Sequence, residues 1–116
     1  MVCVPKNDGN KICSAVTLHE FWDDALGTGS FTSNTVKAGK SLQSVDPTLA
    51  AKMDTAVWVE ESFQMAKTNV YKKPVGPGKG TFPLTLAYRK TTGTLARQRA
   101  ALVGARLANI LNSELK

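Results

Sequence analysis

The amino-acid sequence predicts a mostly helical fold, and three segments carry this prediction. Thr17 and Glu20 stand three residues apart, which is the spacing of a capping box at a helix start. Residues 55–70 place apolar side chains at helical spacing, and residues 94–111 repeat such a stripe over the longest helical stretch. Because the three strongest amphipathic segments are all helical, the expected fold class is all-α.

Length and composition indicate one domain with a basic surface. The 116 residues are 42% hydrophobic and 21% charged, as in a globular domain, so residues 1–116 are expected to form a single unit. No apolar run approaches the ~20 residues that span a bilayer, so no membrane partner is expected, and the first ten residues lack the apolar core of a signal peptide. The formal charge of +6 favours acidic partners such as nucleic acid, although many soluble domains without such a ligand carry a similar charge.

The first predicted helix is short and well bounded. Thr17 is its N-cap, so Leu18 is its first residue. Val16 before the cap and Phe21 within the helix occupy the two positions of a hydrophobic staple. Gly27 offers a left-handed stop. The helix is therefore expected to lie between residues 18 and 26.

His19, the only histidine, lies four residues before Asp23 within this helix. Side chains at this spacing share one helix face, so an imidazole and a carboxylate could bind one cation together. The spacing alone also allows a solvated or hydrogen-bonded pair. Two ligands do not make a metal site.

The sequence leaves three possible states open for Cys3 and Cys13. They would pair in an oxidising compartment and remain free thiols in a reducing one. Together with His19 and Asp23 they could also form a four-ligand zinc site, but their spacing matches no familiar pattern.

Much of the remaining chain is expected to be loop. Residues 1–14 contain turn-forming residues and no periodic apolar face, and only residues 11–13 favour a brief extended piece. Residues 28–44 are rich in Gly, Ser, Thr and Lys, which is typical of a surface loop. Residues 74–80 are a Pro and Gly cluster without phosphate-loop spacing. Residues 82–88 are ambiguous between a strand and a short helix.

Two further helices have recognisable starts. Asp46 before a proline is an N-cap that opens a short helix over residues 47–52. Asp54 or Thr55 caps the next helix, over residues 55–70.

The helix over residues 55–70 is expected to pack against the terminal helix. The apolar side chains predicted to be buried between them are Val59, Phe63, Val103, Leu107 and Ile110. Two further side chains, Trp58 and Met65, are expected to fill the core rather than form a site. Three arginines of the terminal helix are expected to form a solvated face, with a phosphate-binding patch as the alternative: Arg97, Arg99 and Arg106.

The run from Leu18 to Asp23 reads Leu-His-Glu-Phe-Trp-Asp. It resembles the Asn-Leu-His-x-x-Trp-Asp signature of the nuclease S-one / nuclease P-one family, the zinc-dependent single-strand-specific nucleases related to phospholipase C. Residues 8–10 resemble that family's Gly-Gly-Asn turn, residues 58–71 its Trp-x-x-Glu-Ser helix, and residues 97–112 its Ala-Gly-x-Arg-Leu-Ala-x-x-Leu-Asn terminal helix. Thr17 departs from the usual asparagine, and Asp8 replaces one glycine of the turn.

The resemblance implies a partial multi-helix domain of the phospholipase C/P-one nuclease type, of which this chain is the C-terminal part. In that family three zinc ions lie in a cleft, and the matching histidine and aspartate, here His19 and Asp23, help to bind one of them. The turn makes Asn10 a substrate-binding candidate, and no catalytic residue beyond the metal ligands is carried over. The other ligands, which include a free N-terminal amino group and a histidine before the turn, would lie upstream of Met1.

The implied reaction is hydrolysis of phosphodiester bonds in single-stranded DNA or RNA by a metal-activated water. A catalytic zinc normally takes three protein ligands and a water, and this chain supplies two, so the isolated fragment is expected to be inactive. Its missing N-terminal part would be its partner, and apolar side chains are expected to be exposed where that part would cover them. The family is exported, which implies a secreted or periplasmic location and would let the cysteines pair. The alternatives are a non-catalytic basic helical module that binds nucleic acid and a partner-binding helical domain.

Overall fold

The computed structural model describes residues 1–5, 13–27 and 32–116. The first two strands are β1 (Val2–Pro5) and β2 (Cys13–Val16), and they are followed by α1 (Leu18–Asp23) with a 3₁₀ turn (Asp24–Leu26). The chain continues through α2 (Thr32–Lys40), α3 (Pro47–Ala50), α4 (Thr55–Met65) with a π-helical turn (Ala66–Val70), β3 (Phe82–Pro83) and α5 (Leu86–Glu114).

A three-stranded sheet corrects the all-α prediction, although the chain is mostly helical as expected. The strand order is β2-β1-β3. Val2 of β1 lies opposite Val16 in an antiparallel pair and opposite Phe82 in a parallel pair. The loop prediction for residues 1–14 is therefore wrong for β1, whereas β2 begins at Cys13, within the brief extended piece expected over residues 11–13. The strands have at most four residues, too few to show alternation, and the pairing with β3 joins distant parts of the chain.

The best-buried apolar side chains lie around the sheet. Val2 and Leu84 are each 1% exposed, and Val75 and Tyr88 complete this cluster. Several partly buried side chains from the strands and α1 pack against it: Val4, Val16, Leu18, Phe21, Trp22 and Phe82. The core therefore joins the sheet, α1 and the first turn of α5.

Both predicted carboxylate caps are present. Asp46 accepts a hydrogen bond from the Thr48 amide at 2.8 Å, and Asp54 accepts one from the Ala56 amide at 2.9 Å. The short helix ends at Ala50, before the predicted residue 52, whereas the next helical stretch reaches residue 70 as predicted.

Two helix predictions need correction. The segment Thr32–Lys40, within the predicted loop over residues 28–44, is helix α2. Lys37 and Lys40 lie in its last turn, where cations interact favourably with the negative end of the helix dipole. This interaction partly offsets the low helix propensity of its Gly and Thr residues. The terminal helix begins at Leu86 rather than near residue 94, because Thr85 caps it. The ambiguous segment 82–88 thus divides into β3 and the start of α5.

Helices α4 and α5 meet through polar side chains rather than through the predicted apolar faces. Four of the five side chains predicted to be buried between them are exposed: Val59 (70%), Phe63 (58%), Val103 (60%) and Leu107 (53%). Ile110 is partly buried. The inward face of α5 instead carries Leu95, Leu102 and Arg106. A charged contact, described below, decides which faces meet.

The molecule is flat, with extents of 56 × 33 × 19 Å. Its radius of gyration is 16.6 Å, whereas about 13 Å is expected for a compact domain of this length. The smallest extent, 19 Å, is less than twice the ~10–12 Å diameter of a helix with its side chains. Apolar side chains are exposed on both α4 and α5. None of the described helices is both long and apolar enough to cross a membrane.

Candidate metal centre

Local hydrogen bonds build the helix that carries the candidate ligands. Thr17 has extended backbone angles, φ −68° and ψ 153°, and its hydroxyl accepts a hydrogen bond from the Glu20 amide at 3.1 Å. This is one half of the predicted capping box. Gly27 ends the 3₁₀ turn with φ 105°, a conformation that favours glycine. The predicted start and stop of this helix are both confirmed.

The structure brings His19 and Asp23 together. The His19 Nε2 and Asp23 Oδ2 atoms are 3.0 Å apart, and the two side chains are 88% and 64% exposed. An exposed pair of this kind adds little to stability. Imidazole nitrogen and carboxylate oxygen are both zinc ligands. Within residues 1–5, 13–27 and 32–116, no group of three or more His, Cys, Asp and Glu side chains could hold a metal.

The other sequence candidates have different outcomes. Cys3 and Cys13 form a disulfide between β1 and β2. They are therefore unavailable as thiolate ligands, and the four-ligand arrangement with His19 and Asp23 is wrong. Asn10 lies outside the described residues.

A buried tyrosine contacts the helix beneath the candidate ligands. Trp22 of α1 donates its indole N–H to the Tyr88 hydroxyl at 3.2 Å, and that hydroxyl donates to the Val70 carbonyl at 2.9 Å. Burial raises the pKa of Tyr88, against the lowering effect of the Trp22 hydrogen bond. The sequence contains the Thr85 cap that places Tyr88 in the first turn of α5. No local signal indicates that Tyr88 meets Trp22.

Arg106 is buried, which corrects its expected place on a solvated face. It is 4% exposed and donates from Nη1 and Nη2 to the two carboxylate oxygens of Glu61, both at 2.9 Å. Its guanidinium also lies 5.2 Å from the centre of the Trp58 ring. The Arg106 guanidinium, followed by that of Arg99, lowers the pKa of Glu61.

This contact explains two of the four motifs. Trp58 and Glu61 belong to the Trp-x-x-Glu-Ser stretch, and Arg106 belongs to the terminal motif. The serine of the former, Ser62, accepts a hydrogen bond from Arg99 at 3.0 Å. These motif residues hold α4 against α5, and they form no part of the candidate metal pair.

A groove of about 750 Å³ lies beside this ion pair. Its apolar lining includes Leu49, Met65 and Leu102, and Arg97 is among the polar residues at its wall. His19 and Asp23 do not line it. The candidate metal pair therefore lies on an open surface, apart from this groove.

Comparison with known proteins supports the interpretation of the motifs. The family model described as S1/P1 Nuclease matches residues 7–116, almost the whole chain. No curated protein and no solved structure matches the chain. The motifs resembling the nuclease S-one / nuclease P-one family and the family model thus agree, and the chain belongs to the S1/P1 nuclease family.

Proposed function

We propose that this chain is the C-terminal part of a zinc-dependent nuclease domain that hydrolyses phosphodiester bonds of single-stranded DNA or RNA. His19 and Asp23 would be ligands to one of its three zinc ions. The observation that carries this proposal is the exposed His19–Asp23 pair, 3.0 Å apart, within the family signature. Asn10 remains a proposed substrate contact.

The donor set fits part of a zinc site. Neutral His19 would offer a ring nitrogen and Asp23 a carboxylate oxygen, and these two groups already lie within 3.0 Å of each other. Zinc supplies an activated water and neutralises charge on the phosphate oxygens. The pair provides two of the three protein ligands that a catalytic zinc normally takes. The isolated chain is therefore proposed to be inactive.

The missing N-terminal part of the domain is the proposed partner. Residues 100–113 of α5 contain one charged residue, Arg106, and it points inward. A helix without exposed charge over this length is typical of a buried position rather than a surface. We define the exposed stripe as Val59 and Phe63 of α4 with Val103, Leu107 and Leu111 of α5. The part that completes the metal site is proposed to cover this stripe.

A secreted or periplasmic location is proposed as well. The disulfide between Cys3 and Cys13 supports it, because such bonds persist in oxidising compartments and are rare in the cytosol.

Substitution in a completed domain tests the ligand assignment. With a family-like N-terminal part attached, His19→Ala and Asp23→Ala should each remove most nuclease activity and bound zinc. The fold should persist, because neither side chain is buried and neither takes part in the Thr17 cap. Zinc content is measured by elemental analysis and folding by circular dichroism. Glu60→Ala, an exposed substitution on α4, is the control that should retain zinc. Full activity and zinc content in the His19→Ala protein would contradict the assignment.

A further inference from the structure

Helix α1 is too short for its own backbone hydrogen bonds to keep it folded. It has six residues, whereas isolated helices shorter than ~12–15 residues are marginal in water. None of its residues is fully buried. The His19 and Asp23 side chains, four residues apart, lie side by side because this segment is helical. Whatever keeps α1 helical therefore controls the metal pair.

Both aromatic side chains of α1 contact Tyr88 in the core. Phe21 and Trp22 are the partly buried aromatic side chains of α1, and their ring centres lie 6.3 Å and 6.2 Å from that of Tyr88. The Trp22 and Tyr88 rings meet edge to face at 81°. Tyr88 itself is only 4% exposed. It thus offers a buried aromatic surface to a helix that has no fully buried residue of its own.

The Tyr88 hydroxyl connects three segments. It accepts the Trp22 indole N–H from α1 and donates to the Val70 carbonyl at the end of the π-helical turn, while its ring belongs to α5. Because both hydrogen bonds use one oxygen, its removal would leave the Trp22 donor and the Val70 acceptor unpaired at partly buried positions. Trp22 lies in the same signature as His19 and Asp23.

We propose that Tyr88 is a positioning residue for the metal pair: it keeps α1 helical through Trp22, so that His19 and Asp23 stand at ligand spacing. This inference rests on the proposed ligand role of His19 and Asp23. Linkage makes the effect reciprocal. Zinc bound across the pair should protect α1 from opening, and loss of the Tyr88 hydroxyl should weaken zinc binding.

The test uses Tyr88→Phe in the 116-residue chain, because this change keeps the ring and removes the hydroxyl. Hydrogen exchange of the Trp22 indole and of the α1 amides, followed by NMR, should be faster in the variant by about fivefold, the factor of a typical net hydrogen bond. Exchange in α4 should not change. Zinc chloride, titrated while the His19 ring resonances are followed, should bind Tyr88→Phe more weakly than the wild-type chain, by at most about fivefold, because affinity falls with the fraction of α1 that is closed. In the wild-type chain, zinc should slow Trp22 indole exchange.

Two controls separate positioning from general stability. Tyr71→Phe removes a hydroxyl from a tyrosine that is 70% exposed, and it should change neither readout. Leu102→Val weakens the buried face of α5 about four helical turns beyond Tyr88, so it should lower the melting temperature without lowering zinc affinity. Unchanged α1 exchange in Tyr88→Phe, or equal loss of zinc affinity in Leu102→Val, would overturn the inference. Zinc binding that persists in His19→Ala would instead contradict the proposed function.

Discussion

Glu61 and Arg106 show how single residues determine the packing of this protein. Arg106 is an ion pair partner, a cation over the Trp58 ring and a donor to the Leu49 carbonyl at 3.2 Å. A buried guanidinium needs such partners, because an unpaired charge in the interior is strongly unfavourable. This requirement turns α4 so that Glu61 faces α5 and Val59 faces outward.

Removing the carboxylate charge should therefore destabilise the fold. We expect Glu61→Gln to lower the free energy of unfolding by about 2–3 kcal/mol. Breaking a fully buried ion pair costs ~3–5 kcal/mol, and the loss should be smaller here because the Glu61 side chain is 22% exposed. Urea unfolding measures this change. The neighbouring Glu60→Gln is the matched control and should stay within about 0.5 kcal/mol. Equal stability of the two variants would contradict the role given to Glu61.

The same ion pair predicts a dependence of stability on pH. Arg106 lowers the pKa of Glu61 in the folded state, so this carboxylate binds fewer protons when folded than when unfolded. Its contribution is fully present above the ordinary pKa of 4.5 and is lost as the pH falls below that value through the folded pKa. Unfolding curves in this acid range should show a smaller loss for Glu61→Gln than for the wild-type chain.

At the scale of the element, the long helix α5 contains Gly104, and no neighbouring atom in this structure requires a glycine there. A Cβ placed on Gly104 would have no atom within 4 Å. Glycine inside a helix is less stable than alanine by roughly 0.5–1 kcal/mol. The position lies beside Val103 in the exposed stripe, where the proposed N-terminal part would approach.

Gly104→Ala should consequently stabilise the isolated chain by about 0.5–1 kcal/mol, as measured by urea or thermal unfolding. Gly27→Ala is the opposite case and should be destabilising, because Gly27 has φ 105°. In a completed domain the gain at residue 104 should disappear if another helix crosses there closely. A loss of stability in the isolated chain would contradict the open space seen around Gly104.

At the scale of the whole molecule, the flat shape and the His19–Asp23 pair bear on the proposal that this chain is one part of a domain. The stripe on α4 and α5 is exposed, and the described residues contain no group of three or more His, Cys, Asp and Glu side chains that could hold a metal. Both features fit the proposed N-terminal partner.

We therefore expect the purified chain with added zinc to leave single-stranded DNA and RNA uncut, since two ligands do not hold an ion with an open catalytic position tightly. Gel analysis of oligonucleotide substrates with and without a chelator measures this. His19→Ala controls for contaminating nuclease. Chelator-sensitive cleavage by the wild-type chain that is absent from His19→Ala would show that the fragment is active. Binding without cleavage would favour the basic nucleic-acid-binding alternative.

Local features were determined by the sequence itself. The caps at Thr17, Asp46 and Asp54, the stop at Gly27 and the pairing of His19 with Asp23 all depend on residues within four positions of one another. The family motifs also follow from residue order, and the family model agrees with them.

The tertiary structure decided what depends on distant residues. The β1–β3 pairing, the meeting of Trp22 with Tyr88 and the contact of Glu61 with Arg106 each join positions far apart in the chain. Helical periodicity predicted apolar stripes on α4 and α5 but could not say which face would meet which. The physical reason is that periodicity describes one helix at a time, whereas the buried charge of Arg106 selects the face through a partner on another helix.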